Sequence, residues 1–405
     1  MRIRCFAVLC VFAAIAAAPS ASGATGFTWT ESVVTVASGD QFDPSIGPPY
    51  VTYTDTSGGT ADVRYWDMTT GMSHPVAAGP GDQQLSDVFG SLVVYSGSGD
   101  GGPADIFSYD ITTGNTTQLT ASATDQINPA VSSQLVVYED YSSGLADICR
   151  YSLLDSTTAC LSKPGDQVLP AVTLASVVYI DFAAGSSVVL WNTTSGATQT
   201  LDTGAASPPD IDGSHVVYSL SASGGNNVAT YDLASNTRKV LTLPGDQVNP
   251  HISGDWVSFE DLVSGVSHLG LWNYVTGEVE HPNVSPNAQF LSDISGHRVV
   301  YTDNRNGNLD VYMLEFAEPV SLDGQIGGLI GDVQALGLPK GTQTSLLAKL
   351  SDAQAALKIG NTAAACSDLA SFISETSAQS GKKIAASDAP ALIAKAQQIE
   401  ASIPC

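Results

Sequence analysis

A short hydrophobic motif recurs seven times in this chain, at intervals of about 42 residues. Each copy is a mostly β-branched pair followed by an aromatic residue. The copies are Val51-Thr52-Tyr53, Val93-Val94-Tyr95, Val136-Val137-Tyr138, Val177-Val178-Tyr179, Val216-Val217-Tyr218, Val257-Ser258-Phe259 and Val299-Val300-Tyr301. The steps between successive aromatic residues are 42, 43, 41, 39, 41 and 42. A fixed period of this size is typical of repeat arrays, which more often form a binding surface than a single catalytic pocket.

Each repeat reads as four short strands. In the third repeat, an apolar strand over residues 135–138 is followed by the turn Tyr141-Ser142-Ser143-Gly144 and by the alternating segment 147–151. β-branched and aromatic residues fit a pleated, half-buried surface, and Gly, Asn, Asp and Ser mark the turns between strands. Four strands in roughly 40–45 residues is the size of one propeller blade. The sequence therefore predicts a mainly β propeller over residues 27–316.

The two ends of the repeat region complete each other. The seventh repeat has no fourth strand after Val311–Leu314, whereas the segment Ser32–Val36 precedes the first repeat as an extra strand. We expect this N-terminal strand to complete the last blade, because closure removes exposed sheet edges. The count gives seven blades. Six blades with a stray hairpin is the alternative, because the fifth repeat (Ala205 to Tyr231) has lost its turn motif.

The N-terminal segment 1–24 is typical of a secretory signal peptide. Arg2 and Arg4 precede an apolar run from Phe6 to Ala18, which is too short to span a bilayer, and small residues precede the expected cleavage after Ala24. We therefore expect a secreted, periplasmic or cell-surface protein. No transmembrane span is predicted elsewhere.

The chain is strongly acidic, with 40 Asp and Glu against 15 Lys and Arg and a formal net charge of −25. Such a charge repels nucleic acid and anionic membranes. It is compatible with cations or basic partners, although solubility alone is the favoured interpretation. The sequence predicts a monomer with no nucleic-acid partner.

Four cysteines follow the signal segment, and an even number in an oxidising compartment indicates disulfides. Cys149 and Cys160 flank one hairpin turn at similar distances, which places their Cβ atoms within bonding range. Cys366 and Cys405 then pair by elimination. Reduced thiols are the rival interpretation, and no Cys-x-x-Cys motif favours a redox role.

The hydrophobic period changes from two to 3.6 after a linker at residues 317–322. Apolar residues share one helical face in three segments, for example Leu346, Leu350 and Leu357, and Gly360-Asn361 separates two of them. Residues 323–405 are therefore predicted to form a small four-helix domain.

Two family resemblances follow from these residues. The segment Tyr301-Thr302-Asp303-Asn304-Arg305-Asn306-Gly307-Asn308-Leu309-Asp310-Val311-Tyr312 resembles the strand–turn–strand signature of TolB-like propeller repeats, and weaker copies recur over about residues 27–316. The resemblance implies a propeller fold but no single function, because such repeats occur in Tol-system proteins, peptidase propellers and many other exported proteins. The Tol system's own propeller has six blades, so a count of seven argues against direct equivalence.

The helical segment resembles the FIMAH-type domain found at the end of exported bacterial and archaeal proteins. The matching residues include Leu336-Gly337-Leu338-Pro339-Lys340-Gly341, Ala356-Leu357-Lys358-Ile359-Gly360-Asn361 and Gln379-Ser380-Gly381-Lys382-Lys383-Ile384. This resemblance implies export and a modular build, not a reaction.

An Asp-Gln turn precedes five of the predicted innermost strands. The aspartates are Asp40, Asp82, Asp125, Asp166 and Asp246, which we expect to form a ring around one mouth of the propeller channel. Carboxylate oxygens suit Ca²⁺ or a basic ligand. Because the turn repeats at most blades, the favoured interpretation is structural, with the short Asp side chains capping backbone donors.

No catalytic motif is present. The chain has no Gly-x-Ser-x-Gly elbow, no phosphate-binding Gly-rich motif and no His-Glu-x-x-His zinc motif, and its six histidines are scattered. Repeats four to six diverge most, and Trp256 and Phe259 are expected to add aromatic surface there. The leading hypothesis is a non-enzymatic exported protein that binds a protein or glycan with a propeller face, without a cofactor. The alternative is a propeller lyase or hydrolase that acts on glycans with carboxylates at the channel mouth.

Overall fold

The computed structural model describes residues 27–76, 81–99, 101–262, 265–282, 284–318 and 320–403. The predicted signal peptide lies outside these residues. The chain divides into two compact units, a β unit that ends at Ala317 and a helical unit that begins at Glu318.

The described residues of the β unit form seven four-stranded antiparallel sheets, the blades of a propeller. Six blades use four consecutive strands each, numbered after the N-terminal strand β1 (Thr28–Thr35). Blades 1 to 3 comprise β2 (Gln41–Gly47), β3 (Tyr50–Asp55), β4 (Asp62–Asp67), β5 (Met72–Pro75); β6 (Gln83–Phe89), β7 (Leu92–Ser98), β8 (Ala104–Asp110), β9 (Asn115–Gln118); and β10 (Gln126–Val131), β11 (Leu135–Asp140), β12 (Asp147–Ser152), β13 (Thr158–Cys160). Blades 4 to 6 comprise β14 (Gln167–Thr173), β15 (Ser176–Asp181), β16 (Ser187–Asn192), β17 (Thr198–Thr203); β18 (Ala205–Asp212), β19 (His215–Ala222), β20 (Gly225–Asp232), β21 (Thr237–Val240); and β22 (Gln247–Ser253), β23 (Trp256–Asp261), β24 (His268–Asn273), β25 (Val279–Glu280).

The seventh blade closes the ring with a strand from the N-terminus. It contains β26 (Gln289–Ser295), β27 (Arg298–Asp303) and β28 (Asp310–Ala317), and β1 pairs with β28 as its outermost strand. The predicted closure is confirmed, and the strand starts four residues earlier and ends one residue earlier than expected. The fifth repeat forms a complete blade despite its degraded turn, so the described propeller has seven blades, not six.

An arginine network fastens the closing strand. Arg305 donates two hydrogen bonds to Glu31 of β1, at 2.9 and 2.8 Å, and its Nη2 lies 2.8 Å from an oxygen of Asp303. The guanidinium also lies 4.0 Å from the ring centroid of Tyr312. Planar, bidentate pairing of this kind is among the stronger charge-assisted contacts.

The repeated hydrophobic motif forms the second strand of every blade. Its aromatic residue is buried in each copy, with at most 3% of its surface exposed. Adjacent blades cover both faces of this strand, so all three motif residues are apolar or small rather than alternating with charged residues. For the same reason the prediction for Trp256 and Phe259 is wrong: they are 2% and 0% exposed, and they build the core instead of a surface.

The innermost strands contain a recurrent bulge. In six blades the third residue of the strand has a positive φ, between 48° and 57°. These residues are Asp43, Leu85, Asn128, Leu169, Asn249 and Leu291. The fifth blade has Pro208 in this place, and proline cannot adopt positive φ, so the fifth blade has two register shifts instead. A bulge of this type turns the side chains that follow it.

The disulfide between Cys149 and Cys160 is present, and the two residues are direct partners across β12 and β13. The second predicted disulfide involves Cys405, which lies outside the described residues. Its proposed partner Cys366 is buried in the helical core.

The helical unit contains four helices in its described residues, α1 (Leu322–Ala335), α2 (Lys340–Lys358), α3 (Thr362–Gln379) and α4 (Ala389–Ala401). Ser321 and Asn361 cap α1 and α3 by accepting hydrogen bonds from the backbone N–H groups of Gly324 and Ala364. Pro390 lies in the first turn of α4, where no N–H donor is needed. None of the described helices is long and apolar enough to cross a membrane.

The closing network predicts an asymmetric effect of two arginine substitutions. R305M leaves the fully buried Asp303 carboxylate without its charge partner and should lower the free energy of unfolding by about 3 kcal/mol. R298M removes an ion pair whose side chains are 39% and 51% exposed, and should cost less than about 1 kcal/mol. Urea denaturation followed by tryptophan fluorescence measures both. Equal losses for the two variants contradict the role given to Arg305.

Candidate functional site in the propeller channel

The predicted ring of aspartates makes contacts between neighbouring blades. Oδ1 of Asp82 accepts a hydrogen bond from the N–H of Ala61 at 3.1 Å, and the N–H of Gln83 donates to the carbonyl of the same Ala61 at 2.7 Å. The Asp82-Gln83 turn thus binds one residue of the preceding blade at two points. We call this arrangement the Asp-Gln clasp.

The clasp recurs around the ring. Asp40 with Gln41 holds Leu309, at 3.0 and 2.7 Å, so the first blade is joined to the seventh. Asp166 with Gln167 holds Ala146, again at 3.0 and 2.7 Å. Asp125 and Asp246 accept from the N–H groups of Ala104 and Asn226 at 2.9 and 2.8 Å. One oxygen of each of these carboxylates is therefore engaged by the neighbouring backbone.

Two buried glutamates make a similar contact deeper between blades. Glu139 accepts from the backbone of Leu169 at 2.8 Å, and Glu260 accepts from the backbone of Leu291 at 3.0 Å. Each glutamate thus accepts a hydrogen bond from the positive-φ residue of the next blade's inner strand. Burial raises the pKa of both glutamates, and their hydrogen bonds oppose this shift.

The seven blades differ at one position of the inner strand. Counting the glutamine of the Asp-Gln turn, or the residue in its place, as the first, this is the fifth residue. From the first blade to the seventh, this position is occupied by Ser45, Asp87, Ala130, Ala171, Asp210, His251 and Asp293. Blades 5, 6, 7, 1 and 2 therefore present polar or charged side chains, whereas blades 3 and 4 present alanine. Asp43, the positive-φ residue of blade 1, lies two residues before Ser45. We call Asp43 and the four charged residues Asp87, Asp210, His251 and Asp293 the channel cluster.

The channel cluster lies at the centre of the propeller. Its charges influence one another between blades that are not neighbours, as Asp87 and Asp210 do across the ring. The inner strands that carry it contact one another around the ring. Its side chains keep contact with the channel: 33% of His251, 22% of Asp210 and 20% of Asp293 are exposed.

Each cluster aspartate on the fifth position also bridges to the next blade. Asp210 accepts from its following residue Ile211 at 2.7 Å and from Ile252 at 2.9 Å. Asp87 and Asp293 repeat this pattern toward Val131 and Ile46 at 2.7 and 2.8 Å. These bonds fix the carboxylates in place, so the site is preorganised.

His251 carries the positive charge of the cluster. Its Nδ1 lies 3.6 Å from a carboxylate oxygen of Asp210 and 3.6 Å from one of Asp293. Desolvation alone would lower the pKa of His251, but the facing carboxylates of Asp210, Asp293 and Asp43 outweigh it and raise the pKa to about 9. The imidazole is therefore protonated at neutral pH.

Two of the carboxylates titrate unusually close to neutrality. Desolvation raises the pKa of Asp43 to about 6, although the charge of His251 opposes it. Asp293 reaches about 6 for the same two reasons, with a further contribution from Asp210. Desolvation also raises the pKa of Asp87. Asp210 differs: it too is desolvated, but the nearby charge of His251 and hydrogen bonds from two backbone N–H groups lower its pKa.

The chemistry of the cluster is acidic and responsive to pH. Near pH 7 one imidazolium faces several carboxylates, so a cationic group that enters the channel gains favourable contacts. Among the described residues, no group of three or more His, Cys, Asp or Glu is placed to hold a metal ion. Calcium binding by the Asp-Gln turns stays a prediction.

This cluster was not predicted from the sequence. His251 stands there as an isolated histidine, because the partners of His251 lie about 40 residues or more away along the chain. The available signal was the alignment of the seven inner strands, in which one position changes from alanine to aspartate to histidine.

Comparisons with known proteins support the fold and no more. No protein-family model matches the sequence, and no curated protein matches it. The FIMAH-type assignment of the helices therefore stays a resemblance.

Many solved structures match the chain at low identity. One is the β-propeller domain of the Trilobed protease from Pyrococcus furiosus, with 11% identity, a TM-score of 0.56, and coverage of 68% of this chain and 95% of that one. Another is an oligogalacturonate lyase in complex with manganese, with 12% identity, a TM-score of 0.51, and coverage of 72% and 97%. TolB from Acinetobacter baumannii also matches, with 12% identity and coverage of 73% and 80%, but its TM-score of 0.41 is too low to carry an argument.

The raised pKa of His251 predicts a pH-dependent stability. Because its folded pKa of about 9 exceeds the ordinary value of 6.5, protonated His251 contributes stability that is full below pH 6.5 and is lost as the pH rises toward 9. The Tm of the wild type should therefore fall over this range, and H251N should lack this component. H74N, on the outermost strand of blade 1, is the control and should retain the fall. An identical profile for H251N contradicts the assignment.

The Asp-Gln clasp predicts how Asp82 variants behave. D82A leaves the N–H of Ala61 without its acceptor and should lower the free energy of unfolding by about 1–2 kcal/mol, whereas D82N keeps an oxygen acceptor and should lose less. EDTA should leave the Tm of the wild type unchanged. A fall in Tm with EDTA that is absent in D82A indicates instead that the turn holds a metal ion.

Proposed function

We propose that this protein is an exported, non-enzymatic binding module that holds a protein partner through a basic group placed in the propeller channel. The observation that carries the proposal is the asymmetric channel lining. Blades 5, 6, 7, 1 and 2 contribute the polar and charged side chains, and blades 3 and 4 contribute Ala130 and Ala171. Interactions that hold blades together recur around the ring, whereas a ligand site needs to differ from blade to blade.

The charge of the cluster favours a cationic group. The cluster contains four aspartates and one imidazolium, and the carboxylates of Asp210 and Asp293 remain partly exposed. Arginine and lysine form their strongest hydrogen bonds with carboxylates in such partly desolvated sites. A basic side chain of a partner protein satisfies these acceptors without any chemical step. Export is supported by the disulfide between Cys149 and Cys160, because disulfides form and persist mainly in oxidising compartments.

One observation favours a second candidate, a glycan-acting lyase or hydrolase. Asp43 and Asp293 have pKa values of about 6, and a general acid or base works best when its pKa lies near the operating pH. Against this, Asp293 is held by backbone N–H groups of its own and the next blade, in the same way as Asp87 and Asp210. The binding role therefore ranks first.

A peptide titration tests the proposal. The probe is a fluorescein-labelled tetra-arginine peptide, and the matched control is the same peptide with neutral citrulline, both at about 150 mM salt so that non-specific attraction is screened. The wild type should bind the arginine peptide at least about tenfold more tightly than the citrulline peptide. D43N/D293N should lose most of this preference, whereas D232N, which removes an exposed turn carboxylate elsewhere on blade 5, should keep it.

Two outcomes contradict the binding proposal. If the double variant binds the arginine peptide as well as the wild type does, the attraction is a general effect of net charge. If the wild type cleaves oligogalacturonate with a pH optimum near 6, and D43N abolishes the cleavage, the enzyme candidate replaces the binding role. The cleavage is followed by the absorbance of unsaturated products.

A further inference from the structure

A second asymmetric feature lies away from the channel cluster, on blades 3 and 4. A groove of about 270 Å³ is lined there by Gln134, Arg150, Ser152, Leu154, Thr193 and Thr194, among others. These residues come from the ends of strands and the hairpin turns of the two adjacent blades, at the edge where β10 and β11 connect and where β12 and β13 connect. We call it the Arg150 groove.

Arg150 departs from the repeat. It lies on the third strand, directly opposite the second residue of the hydrophobic motif, Val137. The corresponding residues of the other six blades are uncharged, namely Tyr65, Ser108, Leu190, Thr230, Leu271 and Met313. Four of them are buried between blades. A guanidinium at this position is therefore specific to blade 3.

Arg150 also lacks the carboxylate partner that every other described arginine has. Arg64, Arg238, Arg298 and Arg305 each lie within 4.0 Å of a carboxylate. Nε of Arg150 is buried without a hydrogen-bond partner in the described residues. Asp155, in the adjoining turn, interacts with Arg150 only from beyond ion-pair distance, and its carboxylate accepts from both the N–H and the hydroxyl of Thr157. In a chain with net charge −25, an arginine that lines a groove and forms no ion pair is suited to bind an external anion.

Exposed leucines flank the groove. Leu154, in its lining, is 78% exposed, and Leu174, next to the lining residue Ala175, is 59% exposed. Leu174 has a φ of +48°, a conformation that disfavours a branched side chain. The equivalent turn position in blades 2, 5, 6 and 7 is glycine, at Gly90, Gly213, Gly254 and Gly296, with φ of 56° to 58°. Blade 4 thus places an exposed leucine where the backbone favours glycine, which is unfavourable for folding alone.

We propose that the Arg150 groove is a docking site for an acidic segment of a partner protein, in which a carboxylate lies beside a leucine-like side chain. Because Nε is buried, the terminal nitrogens of the guanidinium donate to the carboxylate, and the hydroxyl of Thr194 offers a further donor. Leu154 and Leu174 cover the apolar neighbour. The site is separate from the channel cluster, so it stands whether or not the channel binds a basic group.

A pair of synthetic peptides tests this site. The probe is fluorescein-labelled acetyl-Leu-Glu-Leu-Glu-Leu-amide, and the matched control replaces both glutamates by glutamine. Fluorescence anisotropy should show at least about tenfold tighter binding of the glutamate peptide to the wild-type protein. R150Q should abolish the preference, and R150K, which keeps the charge but not the planar fork, should retain only part of it. R238Q, on the outer strand of blade 5, should bind as the wild type does.

A substitution at Leu174 provides an independent test of the groove. L174G removes the unfavourable turn conformation, so it should raise the Tm and at the same time weaken binding of the glutamate peptide several-fold. A loss of binding in a more stable protein cannot come from misfolding.

Three results overturn the proposal. One is equal affinity for the glutamate and glutamine peptides. Another is unchanged affinity in R150Q, which places the peptide elsewhere. The third is stronger competition by oligogalacturonate than by the unlabelled glutamate peptide, which assigns the groove to an anionic glycan instead.

Discussion

The propeller depends on hydrogen bonds between a carboxylate of one blade and the backbone of its neighbour. A four-stranded blade satisfies its internal N–H and C=O groups but leaves those at its ends without partners. The Asp-Gln clasp satisfies such groups in pairs, as Asp82 and Gln83 do for Ala61. Deeper in the ring, Glu139 and Glu260 bind the bulged inner strands of the next blades. The hydrophobic motif fills the space between blades, and these polar contacts set their register.

The same residue type serves both architecture and the candidate site. Asp87, Asp210 and Asp293 bind the next blade like the other carboxylates, and Asp210 and Asp293 also lie 3.6 Å from His251. A carboxylate fixed by backbone donors keeps part of its surface for a ligand and changes little on binding. The structural role therefore supplies the preorganisation that the proposed binding role needs.

Much of the fold was predictable because its signals are local. The 42-residue period, the turn residues and the surplus strand at residues 32–36 gave the blades and the closure, and hairpin spacing gave the Cys149–Cys160 disulfide. Exposure was less predictable. Trp256 and Phe259 looked like surface aromatics in a divergent repeat, but both faces of the second strand are covered by neighbouring blades. The channel cluster was missed, because Asp210, His251 and Asp293 are about 40 residues apart in sequence and meet only when neighbouring blades pack.

The sequence by itself determined the repeating unit, the ring that the units form and the change to helices near residue 320. Each follows from short-range periodicity, which a strand or a helix expresses without reference to the rest of the chain. Only the tertiary structure decided which acids face the channel, which histidine they surround and which described arginine forms no ion pair. Those properties depend on burial and on contacts between blades, and sequence distance carries no information about either.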